Sequence, residues 1–174
     1  MQKDTIVLFV KYNKLANRAM NGIIKTLSPQ EWNKAFGGYF PSVRSLCSHL
    51  YISDFNWLKR FKNLREFSAL KDPLFDQSCA FKDLLFEDMG EYLSGRPQLD
   101  DRLTAFAAEI TDEDLAANIR FTDSSGNPLE RNFGGCCLQF LNHETHHRGV
   151  ISLYLELLGR ENDFSSFGQA MKQD

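Results

Sequence analysis

The stretch NHETHHRGVISLYLELLG, Asn142 to Gly159, decides how this chain is read. Its apolar residues recur at helical spacing and Gly159 is well suited to end a helix, so the sequence predicts a long last helix from about Gly135 to Leu158. At about 100° per residue and with His143 at zero, His147 falls at about 40°, Tyr154 at about 20°, Val150 at about −20° and Leu157 at about −40°. Glu156 and Thr145 fall on the opposite side, and Arg148 at about 140°. On this reading the helix buries the face that carries two histidines.

Two imidazoles one helical turn apart have Cβ atoms about 6 Å apart, close enough to hold one metal ion between their ring nitrogens. A single buried His needs only a hydrogen-bond partner to explain it. A pair on the centre of an apolar stripe points instead to ligands, here His143 and His147. His146, at about −60°, can form an i,i+3 pair with His143 instead. Direction favours His147 and leaves His146 as a boundary residue able to hydrogen-bond a substrate or a ligand. The fourth histidine, His49, lies in SLCSHLYISDFNWLKRF, Ser45 to Phe61. Leu46, Leu50 and Trp57 lie roughly 60° to 100° from it, which puts His49 at the margin of that helix's apolar face beside Ser53 and Asn56.

Residues 143 to 147 also satisfy H-E-x-x-H, in which Glu144 would be the general base of a zinc protease. The longer form of that motif needs Gly and then His further on, where this chain has Val150 and Leu153. A downstream Glu ligand is no better served, since only Glu156 and Glu161 follow and neither begins a helix of its own. The protease reading is therefore disfavoured.

Outward from the last helix, the chain reads as further helices. Asp4 to about Leu27 is amphipathic, with Asp4 as its cap, and Ser28-Pro29 opens a short helical piece that ends by Gly37-Gly38. A second long helix runs from near Ser42 to Phe61, and Asp72-Pro73 marks a loop after it. A third region, about Phe81 to Ile110, is expected to kink or break at Pro97, with Leu99 to Ile110 its securer half. Thr111 and Asp114 form a loose capping box for a short helix. Ile119 to Asp123 and Leu129 to Phe133, around a turn containing Ser124 to Asn127, suggest a β-hairpin. Four long helices with short connections give an all-α four-helix bundle as the fold class.

At 174 residues the chain, 1–174, is one domain, and it can bury roughly 70% of its unfolded surface without disulfides. A formal net charge of −3, with scattered basic residues, gives no reason to expect nucleic acid or an anionic membrane as a partner. The opening MQKDTIVLFVKYNK has a short apolar run broken by Lys11, so neither a signal peptide nor a membrane span is expected and the cytoplasm is the expected location. Cys47, Cys79, Cys136 and Cys137 show no C-x-x-C spacing and read as reduced thiols. Cys136 lies on the His143 stripe but about 10 Å along the axis, too far to share an ion, and is read as core or pocket lining. Fifteen Phe remain to be placed.

Three segments together resemble the DinB family: YNKLAN (Tyr12 to Asn17); the run carrying Phe40, Ser42, Leu46, His49, Asp54, Trp57 and Arg60; and NHETHHRG (Asn142 to Gly149). Leu15 stands where the family usually has Trp, and Val150 where it has Gln. The resemblance implies a four-helix bundle with a long crossover connection and a small β-hairpin before the last helix. It also implies a homodimer and one divalent metal ion held by His49, His143 and His147. That supplies the third ligand which direction alone left open.

Three imidazoles leave a coordination position open, as catalytic sites do. The resemblance extends to thiol-dependent transferases and isomerases, so the expected function is a metal-dependent transferase acting on a small-molecule substrate with a low-molecular-weight thiol. A metal-dependent hydrolase is the second expectation, and a non-enzymatic metal-binding stress-response protein the third. Imidazole donors suit Zn, Ni, Cu and Fe alike; Zn or Ni is the first expectation for the ion, and Fe, Mn or Cu the further ones.

Overall fold

The computed structural model describes residues 2–76, 79, 83–123 and 125–172. Six helices and one hairpin follow in the order α1 (Lys3–Ile24), α2 (Pro29–Asn33), α3 (Val43–Phe61), α4 (Met89–Glu109), α5 (Asp112–Ala116), β1 (Asn118–Thr122), β2 (Pro128–Asn132) and α6 (Phe133–Leu157). The long helices α1, α3, α4 and α6 form a four-helix bundle. Round the bundle they stand in the order α1, α4, α3, α6, so α1 is diagonal to α3 and α4 is diagonal to α6. The segment carrying α2 and the segment carrying α5 and the hairpin therefore each cross the bundle. No described helix is long and apolar enough to cross a membrane.

Helix starts follow local chemistry. Ser28, Ser42 and Thr111 each cap a helix through a reciprocal capping box, with Glu31, Ser45 and Asp114 respectively. At α6, the Asn132 side chain accepts from the Gly135 N–H. Asp4 is not the cap of α1: Gln2 holds that place without a side-chain bond, and the Lys3 N–H instead donates to Asp112 Oδ1 at 2.6 Å. A residue of α5 thus does what a local cap would have done. The hairpin pairs antiparallel, with Arg120 opposite Glu130. Of its turn, Ser124 lies outside the described residues, as do Phe81 and Lys82 at the predicted start of the third helical region.

That region differs from expectation. No break occurs at Pro97; α4 is helical from Met89 to Glu109 with Pro97 inside it, and residues 83–88 are not helical. Pro97 is itself exposed, and the carbonyl that loses its donor is that of the half-buried Leu93, one turn earlier. The neighbouring Arg96, Leu99 and Asp100 are buried and tie the same turns into the bundle.

The core has two apolar ends. One is largely phenylalanine: Phe61, Phe67, Phe106, Phe133 and Phe140 are all buried, and Phe61 stacks on Phe106 with ring centres 5.4 Å apart. The other packs Trp32, Leu46, Tyr92, Ile151 and Leu155. Between them every long helix contributes polar residues that are almost fully buried: Asn13 and Asn17 on α1, Asp54 on α3, Arg96 and Asp100 on α4, Glu144 and Arg148 on α6. The candidate site lies beside this layer.

Candidate metal centre

His49 comes from α3, and His143 and His147 come from consecutive turns of α6, which packs against α3. The structure brings all three together: one ring nitrogen from each lies within 4.8 Å of the others. The His49 and His143 Nε2 atoms are 3.0 Å apart. Two nitrogens bound to one ion at roughly 2.0–2.1 Å stand about 3 Å apart, so this spacing fits a shared ion. The Nδ1 of His147 is buried without a hydrogen-bond partner among the described residues, an unmet valence of the kind that coordination or an ordered water relieves. No carboxylate or thiol joins the cluster among the described residues.

Neighbouring groups hold the rings. Ser53, one helical turn beyond His49, lies with Oγ 3.2 Å from His143 Nδ1, which turns the other nitrogen toward His49. Phe40 stacks on His49 with centres 4.1 Å apart and meets His147 edge-on at 5.6 Å. The segment bearing Phe40 is itself anchored by Tyr154, whose hydroxyl donates to the carbonyls of Gly37 at 2.9 Å and Phe40 at 3.1 Å. Gly38 must be glycine here: its φ is +79°, and a Cβ would come within 3.2 Å of the Tyr154 hydroxyl.

Burial pushes the His147 imidazole down to about 3, helped by the neighbouring His143, His49 and His146. Burial also lowers His143, against a partial upward pull from Asp54. Both rings are therefore neutral near pH 7, the form that can bind a metal. The unfolded chain takes up a proton at His147 near the ordinary value of about 6.5, whereas the fold does not until about pH 3. Between those limits the unfolded state binds more protons, so metal-free protein loses stability as pH falls, by at most about 1.4 kcal/mol per pH unit for one histidine. Denaturant midpoints measured from pH 7 to pH 5 are expected to fall, and His147→Gln is expected to flatten that slope. An unchanged slope would show that His147 titrates normally.

The burial of these residues reverses what periodicity suggested. His49, expected at a margin, is 1% exposed, whereas His143 and His147 are only partly buried. The buried face of α6 is instead centred on Cys137, Leu141, Glu144, Arg148, Ile151 and Leu155, roughly 100° round from His143. Leu153 and Leu157 are exposed. Apolar periodicity misjudged the helix because it centres the buried face on apolar residues alone, and here the polar Glu144 and Arg148 belong to that face. His146 is exposed and outside the cluster, its ring edge-on to His147 with centres 4.8 Å apart.

Glu144 therefore does not face an ion as a protease base would. It lies with Asp54 and within 3.7 Å of Arg148, in the layer where Arg96 donates to Asp54 and to Asp100, the latter at 2.6 Å. Asn17 donates to Asp100 at 2.9 Å, and Arg148 donates to Asn13 and Asn17. Burial first, and then the Asp54 carboxylate, raise the Glu144 carboxyl well above the usual range, so it keeps its proton. With that proton, two guanidiniums face two carboxylates. The sequence reading missed this layer. Its signal was three i,i+4 polar pairs, Asn13/Asn17, Arg96/Asp100 and Glu144/Arg148, each set between apolar positions of its helix.

Comparison with known proteins now decides the family. The family model described as "DinB family" matches residues 1–171. The chain belongs to the DinB family. Among DinB relatives, it is 26% identical over 160 residues to Protein DinB of Bacillus subtilis (strain 168), covering 91% of this chain and 88% of that one. The solved structure of YfiT from Bacillus subtilis, described as a probable metal-dependent hydrolase with an unusual four-helix bundle topology, superposes with a TM-score of 0.62. That match covers 91% of this chain and 89% of the other at 17% identity, a likeness of fold.

Proposed function

We propose that this DinB-family chain is a metal-dependent enzyme whose His49, His143 and His147 hold one divalent ion, and that it transfers a group between a low-molecular-weight thiol and a small electrophilic substrate. The observation that carries this reading is the convergence of three imidazole nitrogens with no fourth protein ligand among the described residues. A closed structural site would have four. Three nitrogen donors suit Zn, Ni or another late first-row ion better than Mg or Ca. When bound, such an ion supplies Lewis acidity and lowers the pKa of a thiol or of water.

The chain's own residues provide the rest. His49 lines a cavity of about 380 Å³ with Phe40, Ser45 and Arg44, so a substrate there would lie against one ligand's ring. The Arg44 side chain is held by its Nε donating to the Phe86 carbonyl at 2.7 Å and its Nη1 to Asn33 at 3.2 Å, and with Asp83 on the same wall the cavity offers a substrate one charge of each sign. Phe40 covers the His49 ring and keeps water from that side.

Hydrolysis is the second reading, favoured by the description of the YfiT structure. Metal-loaded protein is to be incubated with small thiols and alkyl halide or epoxide acceptors, and separately with esters and amides. Thiol-dependent consumption of the acceptor is the expected result. Ester or amide cleavage without any thiol turnover would replace transfer by hydrolysis.

A further inference from the structure

A second cavity, of about 570 Å³, opens where the hairpin meets α3 and the start of α6, away from Phe40 and Arg44. Its wall combines Trp57, Phe121 and Leu129 with Arg60, Arg131 and Gln139. The Arg60 guanidinium lies over the Trp57 ring at 4.9 Å and the Phe121 ring at 5.4 Å. A guanidinium stacked in this way uses its faces on the rings and leaves the N–H groups along its edge to donate. No carboxylate forms an ion pair with Arg60 among the described residues. Asp123 is on the same wall, but it already accepts the backbone N–H groups of Ser125 at 2.8 Å and Asn127 at 2.9 Å and the Asn127 side chain at 3.1 Å. Arg131 is exposed at the rim and donates to the Glu130 carbonyl at 2.9 Å through one nitrogen, Nη1. The wall thus carries two cations against one carboxylate, whose oxygens are taken up by the turn's N–H groups and which offsets the Arg60 charge through space without pairing with it, and the positive end of the 25-residue α6 opens beside it.

We propose that this cavity is a second binding site, for a small organic anion with a flat apolar body and a carboxylate. The body lies against Leu129 and the exposed edges of Trp57 and Phe121, and the carboxylate takes the edge of Arg60 with Arg131 closing over it from the rim. The volume suits such a molecule, since small-ligand pockets run from about 300 to 1,000 Å³. Burial disfavours the Arg60 charge and Asp123 only partly offsets this, so a carboxylate arriving at its edge relieves what remains of that cost. Cys136 also lines the cavity, but burial raises its thiol, with the two arginines only partly opposing this, so it serves as wall rather than nucleophile. The site is separate from the three histidines: Cys136 and His143 are two turns apart on α6, about 10 Å along its axis.

The test uses the full-length protein and indole-3-acetate and benzoate as probes, with indole-3-acetamide and benzamide as neutral matches, read by calorimetry and by two-dimensional NMR of the indole N–H of Trp57. The carboxylates are expected to bind at least tenfold more tightly than the amides and to move the Trp57 signal. Arg60→Met is expected to weaken carboxylate binding tenfold or more and Arg131→Met less, with binding unchanged in the His143→Ala/His147→Ala double variant. If Arg60→Met does not fold, the Arg131→Met variant and the acid-to-amide ratio carry the test. Equal binding of acids and amides, no binding of either acid at millimolar concentration, or binding lost with the histidines overturns the proposal. The last outcome would place the anion at the candidate metal centre instead.

Discussion

Replacing His147 by alanine is expected to abolish tight binding of Zn or Ni, while His146→Ala retains it. The two residues are adjacent in sequence and both carry an imidazole, so only geometry separates them. His147 offers a nitrogen within 4.8 Å of those of His49 and His143, whereas His146 is exposed and outside that cluster. Loss of an outer hydrogen-bond partner at a metal site costs roughly 10–100-fold in affinity. Under the proposed three-histidine site, removing one of the three takes away a bond to the ion itself, so the loss should exceed that range. His143→Ala should behave like His147→Ala, and Ser53→Ala should fall between them and the unchanged protein. Metal content after dialysis, with titration calorimetry for the affinity, checks each variant. Metal retained by His147→Ala and lost by His146→Ala would mean that the i,i+3 pair of His143 and His146 holds the ion.

Why the sequence disclosed some of this and not the rest follows from where each answer lies. Caps are decided within four residues, so Ser28, Ser42 and Thr111 were readable as helix starts, and the structure has all three. Asp4 was misread because the group that satisfies the start of α1 is Asp112, more than a hundred residues away. At Pro97 the helix continues without the break that was one of the two expected outcomes, because buried neighbours on the same turns hold it in the bundle. The same dependence on distant partners explains α6. Hydrophobic periodicity leaves the polar Glu144 and Arg148 out of the buried face, but Asp54, Asn13 and Asn17, from two other helices, make their side the interior. Once the face is turned, His143 and His147 move to its edge and open toward the cluster. The His49 direction could not be settled from α3 alone; the likeness to a family motif placed it, and the distances then brought it to the other two. Of the phenylalanines that composition left unexplained, Phe55, Phe61, Phe67, Phe75, Phe106, Phe133 and Phe140 are buried together in one apolar end of the bundle.

Arg96→Met is expected to destabilise the fold by about 3–5 kcal/mol, while Glu144→Gln costs about 1 kcal/mol or less. Arg96 is 1% exposed and is the cation that both Asp54 and Asp100 face. Its removal leaves two carboxylates in the interior with only the amide of Asn17 donating to one of them, and an uncompensated buried charge is far more costly than a missing apolar contact. Methionine retains much of the stem's volume, so the loss reports charge rather than a cavity. Adding Asp54→Asn and Asp100→Asn to Arg96→Met should recover part of the loss, because neutral amides remove the charge that the arginine had balanced. Glu144 is the opposite case: it already holds a proton, so a neutral amide of the same shape changes little. Both variants are read by denaturant unfolding at pH 7. If Glu144→Gln proves as damaging as Arg96→Met, Glu144 is ionised and the layer has a different charge balance from the one drawn here. The same Glu144→Gln variant separates this site from that of a zinc protease. A protease base lost to glutamine leaves metal bound and activity gone, whereas a carboxyl buried against Asp54, away from the histidine cluster, leaves metal affinity and turnover alike within a few-fold of the unchanged protein.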